Sequence, residues 1–166
     1  EQGIDLAALR ASGVSEPIHA RDLARAPAGG HSVLSARVEG GALAALLERS
    51  EGASRTALFA AFAASAWRAV VEDAAVGVAI RGLDGSITRY PADAGADAAL
   101  SLIDLCDTRL GSFAPAGGTP ALAAAREGDA FLLTLSFNEG RLPFLTAAAL
   151  LDAIAARVED PIRQLL

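Results

Sequence analysis

The chain has 166 residues, 52% of them apolar and 20% charged, with a formal net charge of −6. That is enough apolar material for one compact domain with a real core, whereas a nucleic-acid footprint needs clustered cations, and the only cations here are scattered arginines. The single cysteine, Cys106, excludes an internal disulfide framework and a cysteine-rich zinc site, and no segment has the length or purity of a membrane span or opens the chain as a signal sequence would, so the expected compartment is the cytoplasm, with no membrane and no nucleic-acid partner.

Residues 1–26 read as a small unit of their own. Ile4, Leu6 and Leu9 give it a little apolar surface, Ser12-Gly13 and Pro17 mark a loop, and residues 20–26 have helical composition after His19, a surface residue of this unit. Residues 27–30, Pro-Ala-Gly-Gly, form a linker. Residues 33–39 then alternate, with Leu34, Ala36 and Val38 on one face and Ser35, Arg37 and Glu39 on the other, which predicts a half-buried strand. A helix over 42–49 follows. Ser54 is placed to cap a second, longer helix reaching about residue 72, with little polar surface.

Residues 76–80 are a compact apolar run, Leu83-Asp84-Gly85-Ser86 a turn and 87–90 the second strand of a hairpin. Residues 93–99 carry no clear signal, 100–105 suit a strand or a short helix, and 111–120 form a Gly/Pro loop. The last stretch is the best defined. Phe131, Leu133, Leu135 and Phe137 share one face at period two and Leu132, Thr134 and Ser136 the other, as in a strand buried on both sides. After Asn138-Glu139-Gly140 the period changes, and Ala147, Leu151, Ile154 and Val158 mark one helix face. Pro143 suits the first turn of that helix, Pro161 closes it, and Arg157 sits near its negative end.

The opening GIDLAALRASGVSEPIHARDL resembles the peripheral-subunit-binding domain of the dihydrolipoamide acyltransferases of 2-oxoacid dehydrogenase complexes, through Gly3-Ile4-Asp5-Leu6, Ser12-Gly13, Ile18 and Asp22-Leu23. Glu16-Pro17 stands in place of that family's usual Gly-Arg. Further on, HSVLSARVEGGALAALL, VGVAIRGLDGSITRYPADA, LSLIDLCDTRLGSFAP and LTLSFNEG with its following helix are similar, in the same order, to segments of the family's catalytic domain. The resemblance spans residues 31–166. It implies an α/β (α+β) chloramphenicol-acetyltransferase-like fold, a mixed sheet backed by helices, with a small N-terminal helical unit. It further implies a homotrimer or larger assembly with active sites between subunits, and acyltransferase or dehydrogenase complex subunits as partners.

The departures bear on chemistry. The family's loop carries Asp-His-Arg, whose His removes a proton from the thiol of dihydrolipoamide or coenzyme A. Here Asn138 falls at the Asp and Glu139 at the His, Arg141 comes one place late, and Pro143-Phe144 replaces the family's Asp-Gly. A positioned general base contributes about 10²- to 10⁴-fold, and an ordinary carboxylate with a pKa near ~4.3 is a poor base for a thiol. Ile103 falls where the family carries a hydroxyl that helps hold the tetrahedral intermediate, with Ser101 close by. The chain is also shorter than the family's usual catalytic domain.

The candidate site residues are therefore Glu139, Asn138, Ser101 and His31, the last at the start of a strand. Cys106, with no His nearby in sequence to activate it, reads as a packing residue. Asp104 and Asp107 have no metal-binding spacing, and Gly117-Gly118 lacks the context of a phosphate cradle. The expected function is a non-catalytic acyltransferase-like subunit serving assembly or docking, with no cofactor required. The alternative is a divergent acyltransferase using a coenzyme A or carrier-protein thioester, in which coenzyme A or a lipoyl group would bind and Glu139, His31 or Cys106 would take over the chemistry.

Overall fold

The structure is a computed structural model that describes residues 14–17, 31–50, 52, 54–71, 77–91, 98–110, 113–115 and 119–162. Its described elements run β1 (Val14–Pro17), β2 (His31–Glu39), α1 (Gly41–Arg49), α2 (Arg55–Val71), β3 (Val78–Arg81), β4 (Ile87–Tyr90), β5 (Leu100–Asp104), β6 (Phe113–Pro115), β7 (Ala121–Glu127), β8 (Ala130–Asn138) and α3 (Phe144–Glu159). Six strands form one sheet in the order β2-β8-β7-β5-β3-β4. It is mixed: β5 runs parallel to β3 and β7, and the remaining neighbours are antiparallel.

Helices α2 and α3 pack on each other and against this sheet. Period-two alternation sends Val38, Leu133, Leu135, Phe137, Leu122, Leu100, Leu102 and Val78 towards the helices, where they meet Phe59, Phe62, Leu150 and Ile154 in one continuous core. Phe59 and Phe131 meet edge to face, ring centroids 5.4 Å apart. The Ser54 hydroxyl accepts the Ala57 N–H at 3.3 Å, the cap that the sequence suggests. Near the end of α3, the Arg157 guanidinium donates to the Ala153 carbonyl one turn back and reaches Ser65 on α2 at 3.1 Å, so one side chain joins two helices.

Between β2 and α1 the chain passes so close to its neighbours that a Cβ on Gly40 would lie 2.7 Å from the Asp129 carbonyl oxygen and 2.7 Å from the Phe131 ring. Only glycine fits without movement.

The structure corrects the sequence reading in three places. Residues 121–127, to which the sequence reading assigned no element, form β7, an alanine-rich strand that joins β5 to β8, followed by a turn with Gly128 at φ 63°. Alanine has low intrinsic strand preference, but β7 lies between β5 and β8 with residues 121–125 all buried, so tertiary packing decides its state. The Gly/Pro loop expected over 111–120 contains β6, and β6 pairs antiparallel with β1, a segment in the loop expected from Ser12-Gly13 and Pro17. These segments are paired through contacts distant in sequence, which local composition does not report. The helix expected over 20–26, the linker at 27–30 and His19 lie outside the described residues.

Candidate functional site

The face of the sheet opposite the helices has a different chemistry. One transverse row runs Val33, Ser136, Ala121, Ser101, Ala79, Arg89 across β2, β8, β7, β5, β3 and β4. The next row carries Ser35, Thr134, Ala123, Ile103, Arg81 and Ile87. Alternation decides this: on β3, Val78 and Ile80 turn towards the helices and Ala79 and Arg81 away, and on β4 Ile87 and Arg89 share that outer face.

Where β3, β4 and β5 meet the loop after β8, this face opens into a cavity of about 420 Å³ lined by Ala79, Arg81, Ile87, Arg89, Ala98, Ser101, Thr119 and Arg141. The described lining thus combines three arginines and two hydroxyl-bearing residues with the apolar Ala79, Ile87 and Ala98. Burial lowers the pKa of Arg81, though an arginine remains a cation at neutral pH.

Arg141 reaches the cavity because the loop is locally fixed. The Asn138 side-chain oxygen accepts the Gly140 N–H at 2.8 Å, and its carbonyl accepts the N–H groups of Arg141 at 3.0 Å and Leu142 at 2.9 Å. Leu142 is buried and anchors the exit from this turn, while Arg141 stays exposed.

The candidate residues fall into two groups. Ser101 lines the cavity, on the same outer face as Ile103, so a hydroxyl is present on β5 two residues from where the family resemblance would place one. Asn138 serves the turn through its side chain. Glu139 is half-buried in that turn and is not among the lining residues. His31 pairs in register with Asn138 at the exposed edge of the sheet and is likewise outside the cavity.

Cys106 is buried, its Sγ 3.6 Å from the Ala124 carbonyl. Burial, reinforced by the charge of Asp104, pushes its thiol up to about 12, so the thiolate needed for acyl transfer is disfavoured.

Asp104 and Asp107 have a structural occupation that their spacing alone does not reveal. Arg55, at the start of α2, donates Nε to Asp104 Oδ2 at 2.9 Å, and its Nη2 reaches Asp104 Oδ1 at 3.2 Å and Asp107 Oδ2 at 2.9 Å. Thr56 and the Cys106 N–H also donate to Asp104. Burial pushes the Asp104 carboxyl up, but these hydrogen bonds outweigh it and hold it below the usual range; Arg55 is correspondingly raised, its bonds to both carboxylates outweighing its burial. The cluster ties the N-terminal turn of α2 to the end of β5. Among the described residues no group of three or more His, Cys, Asp or Glu is placed to hold a metal.

Sequence reasoning missed Arg81, Arg89 and Thr119, and noted Arg141 only as a displaced motif residue. A signal was present: in a chain without lysine, AIRGLDGSITRY puts arginines on both strands of a hairpin, and the register shows them to share one face.

No family model matches this chain, and no curated protein matches it by sequence. Solved structures do. A truncated catalytic core of the 2-oxoacid dehydrogenase multienzyme complex from Thermoplasma acidophilum superposes with a TM-score of 0.61 at 13% identity, covering 80% of this chain and 88% of that one. A chloramphenicol acetyltransferase gives 0.58 at 12% identity, with 81% and 88% covered. A probable dihydrolipoamide acetyltransferase from Listeria monocytogenes 4b F2365 gives 0.56 at 16%, with 78% and 84% covered. At such identities the likeness is one of fold. The chain has the chloramphenicol-acetyltransferase-like fold, a six-stranded mixed sheet backed by helices, as its sequence resemblance implied.

Proposed function

We propose that this chain is a non-catalytic subunit of acyltransferase fold that serves assembly or docking in an acyltransferase complex of the 2-oxoacid dehydrogenase type. One observation carries the reading: among the described residues the cavity is lined by arginines, hydroxyls and apolar groups, and none of these accepts a proton near neutral pH. Acyl transfer to a thiol needs such a base beside the reacting sulfur. Glu139, at the position where the family resemblance expects a His, is held in the turn outside the lining, and the Cys106 thiol is pushed up to about 12. A fold kept with a cavity whose described lining supplies no base supports binding in place of turnover.

Assembly into a trimer or larger particle in the cytoplasm belongs to the same proposal, as does docking of a partner subunit through residues 1–26. Its support is an unusually exposed apolar side chain, Leu145 at 81% exposure, on the first turn of α3 beside the loop, and Ile87, half exposed at the cavity. Among the described residues no helix is long and apolar enough to cross a membrane.

The test is direct. Purified protein given acetyl coenzyme A and dihydrolipoamide should show no turnover, and light scattering should give a trimer or larger. Measurable transfer that is abolished by Glu139→Gln would overturn the proposal, and a strict monomer that binds no partner would remove the assembly role.

One observation favours the second reading, a divergent acyltransferase: the Ser101 hydroxyl faces the cavity, where it is placed to donate to a developing oxyanion. On that reading coenzyme A or a lipoyl group enters, and Ser101→Ala lowers kcat with little change in KM.

A further inference from the structure

The six-stranded sheet ends in two edge strands that differ in kind. β4 offers four residues and runs into Pro91, whereas β2 offers nine, His31–Glu39, paired one to one with β8 without a bulge. Among the described residues, nothing is hydrogen-bonded to the other side of β2. An edge strand presents a row of backbone donors and acceptors, and monomeric proteins blunt such rows with short strands, proline, lysine or bulges. β2 has none of these. Its two charged residues, Arg37 and Glu39, sit at one end and engage each other at 3.0 Å, while Leu34 and Ala36 in its middle are half-buried.

The sequence of this strand is complementary to itself. When two copies run antiparallel about a two-fold axis through Ser35, every residue of the strand is paired: Leu34 lies opposite Ala36, Val33 opposite Arg37, and His31 opposite Glu39 at both ends. An axis through Leu34 or Ala36 leaves strand ends unpaired and loses the His31–Glu39 match. An axis between residues sets side chains of opposite sheet faces against each other, which alternation forbids. In the favoured register an imidazole donor faces a carboxylate twice, and the Glu39 side chain is 75% exposed and accessible to it.

We infer that the outer edge of β2 docks a second copy of this chain, β2 against β2 in antiparallel register about Ser35, joining two six-stranded sheets into one. Cross-strand bonds satisfy the backbone row, and the joined strands extend the cover over Leu34 and Ala36. Such a contact uses the same patch on both chains and therefore generates particles with an even number of subunits. It goes beyond the assembly role proposed above, which names no two-fold contact, and it does not depend on that role.

The experiment combines light scattering on the whole chain, over a range of concentrations, with thiol crosslinking. The wild type should give an even number of chains per particle. Ser35→Cys should crosslink with a short bifunctional thiol reagent, because the two copies of that position face each other about 5 Å apart. Arg37→Cys should not, since the register sets its two copies roughly 14 Å apart. Peptide mass spectrometry should find the junction between the two substituted positions, with the buried Cys106 left out of it. Ser35→Lys, which sets two ammonium groups face to face, should at least halve the particle mass while circular dichroism stays unchanged. Glu39→Lys, at an exposed position with little consequence for folding, should raise the dissociation constant by on the order of tenfold. If Ser35→Lys does not fold, Glu39→Lys and the pair of cysteine variants decide.

A particle of odd number, a junction through Cys106, equal crosslinking at positions 35 and 37, or a mass indifferent to both lysine variants would overturn the inference. So would a monomer, whether or not another segment of the chain protects the outward amides of β2 from hydrogen exchange. The outcomes separate the two proposals: a trimer indifferent to Glu39→Lys and Ser35→Lys overturns only this one, whereas an even-numbered particle that turns over thioester overturns only the non-catalytic reading.

Discussion

The two faces of the sheet contrast in what they are made of and in what they tolerate. The helix-covered face is closed and apolar, with Leu133, Leu135, Phe137, Leu100 and Leu102 fully buried against α2 and α3. The opposite face combines a small apolar cluster around Ile103, Ala123 and Ala125 with buried hydroxyls on Ser101, Thr134 and Ser136 and the arginine cavity. Close packing makes the first face sensitive to volume, and an unpaired charge placed there would be costly. The second face carries hydroxyls and arginines beside its apolar cluster. The lesson is that one set of strands, by alternation alone, carries the fold on one side and the candidate site on the other.

That contrast can be broken at graded cost. Phe137→Ala, fully buried on the covered face near the end of β8, should destabilise by about 3–5 kcal/mol in a denaturant titration, because it leaves a cavity against the helices. Removing one partner from the Arg55 cluster comes next: Asp104→Asn should cost roughly 2–4 kcal/mol by leaving the partly buried guanidinium without its main counter-charge. A loss below about 0.5 kcal/mol would show the cluster to be incidental.

The same carboxylate has a pH signature. Its folded pKa lies below the unfolded value, so the unfolded chain binds more protons in acid. Its contribution is therefore fully present above the unfolded value near ~3.9 and is lost as pH falls towards and through the folded one. Thermal melts of the wild type should show this acid-side loss, and Asp104→Asn should show a shallower slope over that window.

Gly40→Ala forces a shift of Asp129 or Phe131 and should cost about 1–3 kcal/mol. Cys106 sharpens the comparison from the chemical side. Buried, with a thiol pushed up to about 12, it should resist alkylation at mildly alkaline pH in the folded protein and react at once when the chain is unfolded. Rapid labelling of the native protein would place it on an accessible surface. The smallest effect belongs to Leu145→Ser: with 81% exposure it should change the stability of an isolated subunit by about 0.5 kcal/mol or less. A fall in oligomeric mass by light scattering in that variant would locate a subunit contact at the first turn of α3.

Much of the framework is legible in the chain itself. Period-two runs locate β2 and β8, the shift to a helical period after Asn138 locates α3, and Ser54 marks the start of α2, because each of these signals is local. The alanine-rich β7 is not legible, since its strand state depends on neighbours on both sides, nor is the pairing of β1 with β6. The site divides in the same way. Ser101 can be singled out by its residue type and its distance from Ile103, and the loop by its Asn138-Glu139-Gly140-Arg141 sequence. What the loop does chemically cannot.

Sequence alone therefore determined which residues alternate and which helix faces are apolar, and through the family resemblance it raised the expectation that Glu139 stands where that family has its thiol-activating His. Only the tertiary structure decided that Arg81, Arg89 and Arg141 share one cavity with Ser101, that Arg55 occupies both Asp104 and Asp107, and that Glu139 stands outside the lining. The physical reason is the range of the determinants. Periodicity and capping act within one or two turns of chain, whereas a cavity is set by strand register and loop placement, which bring residues 60 apart in sequence, Arg81 and Arg141, to one lining.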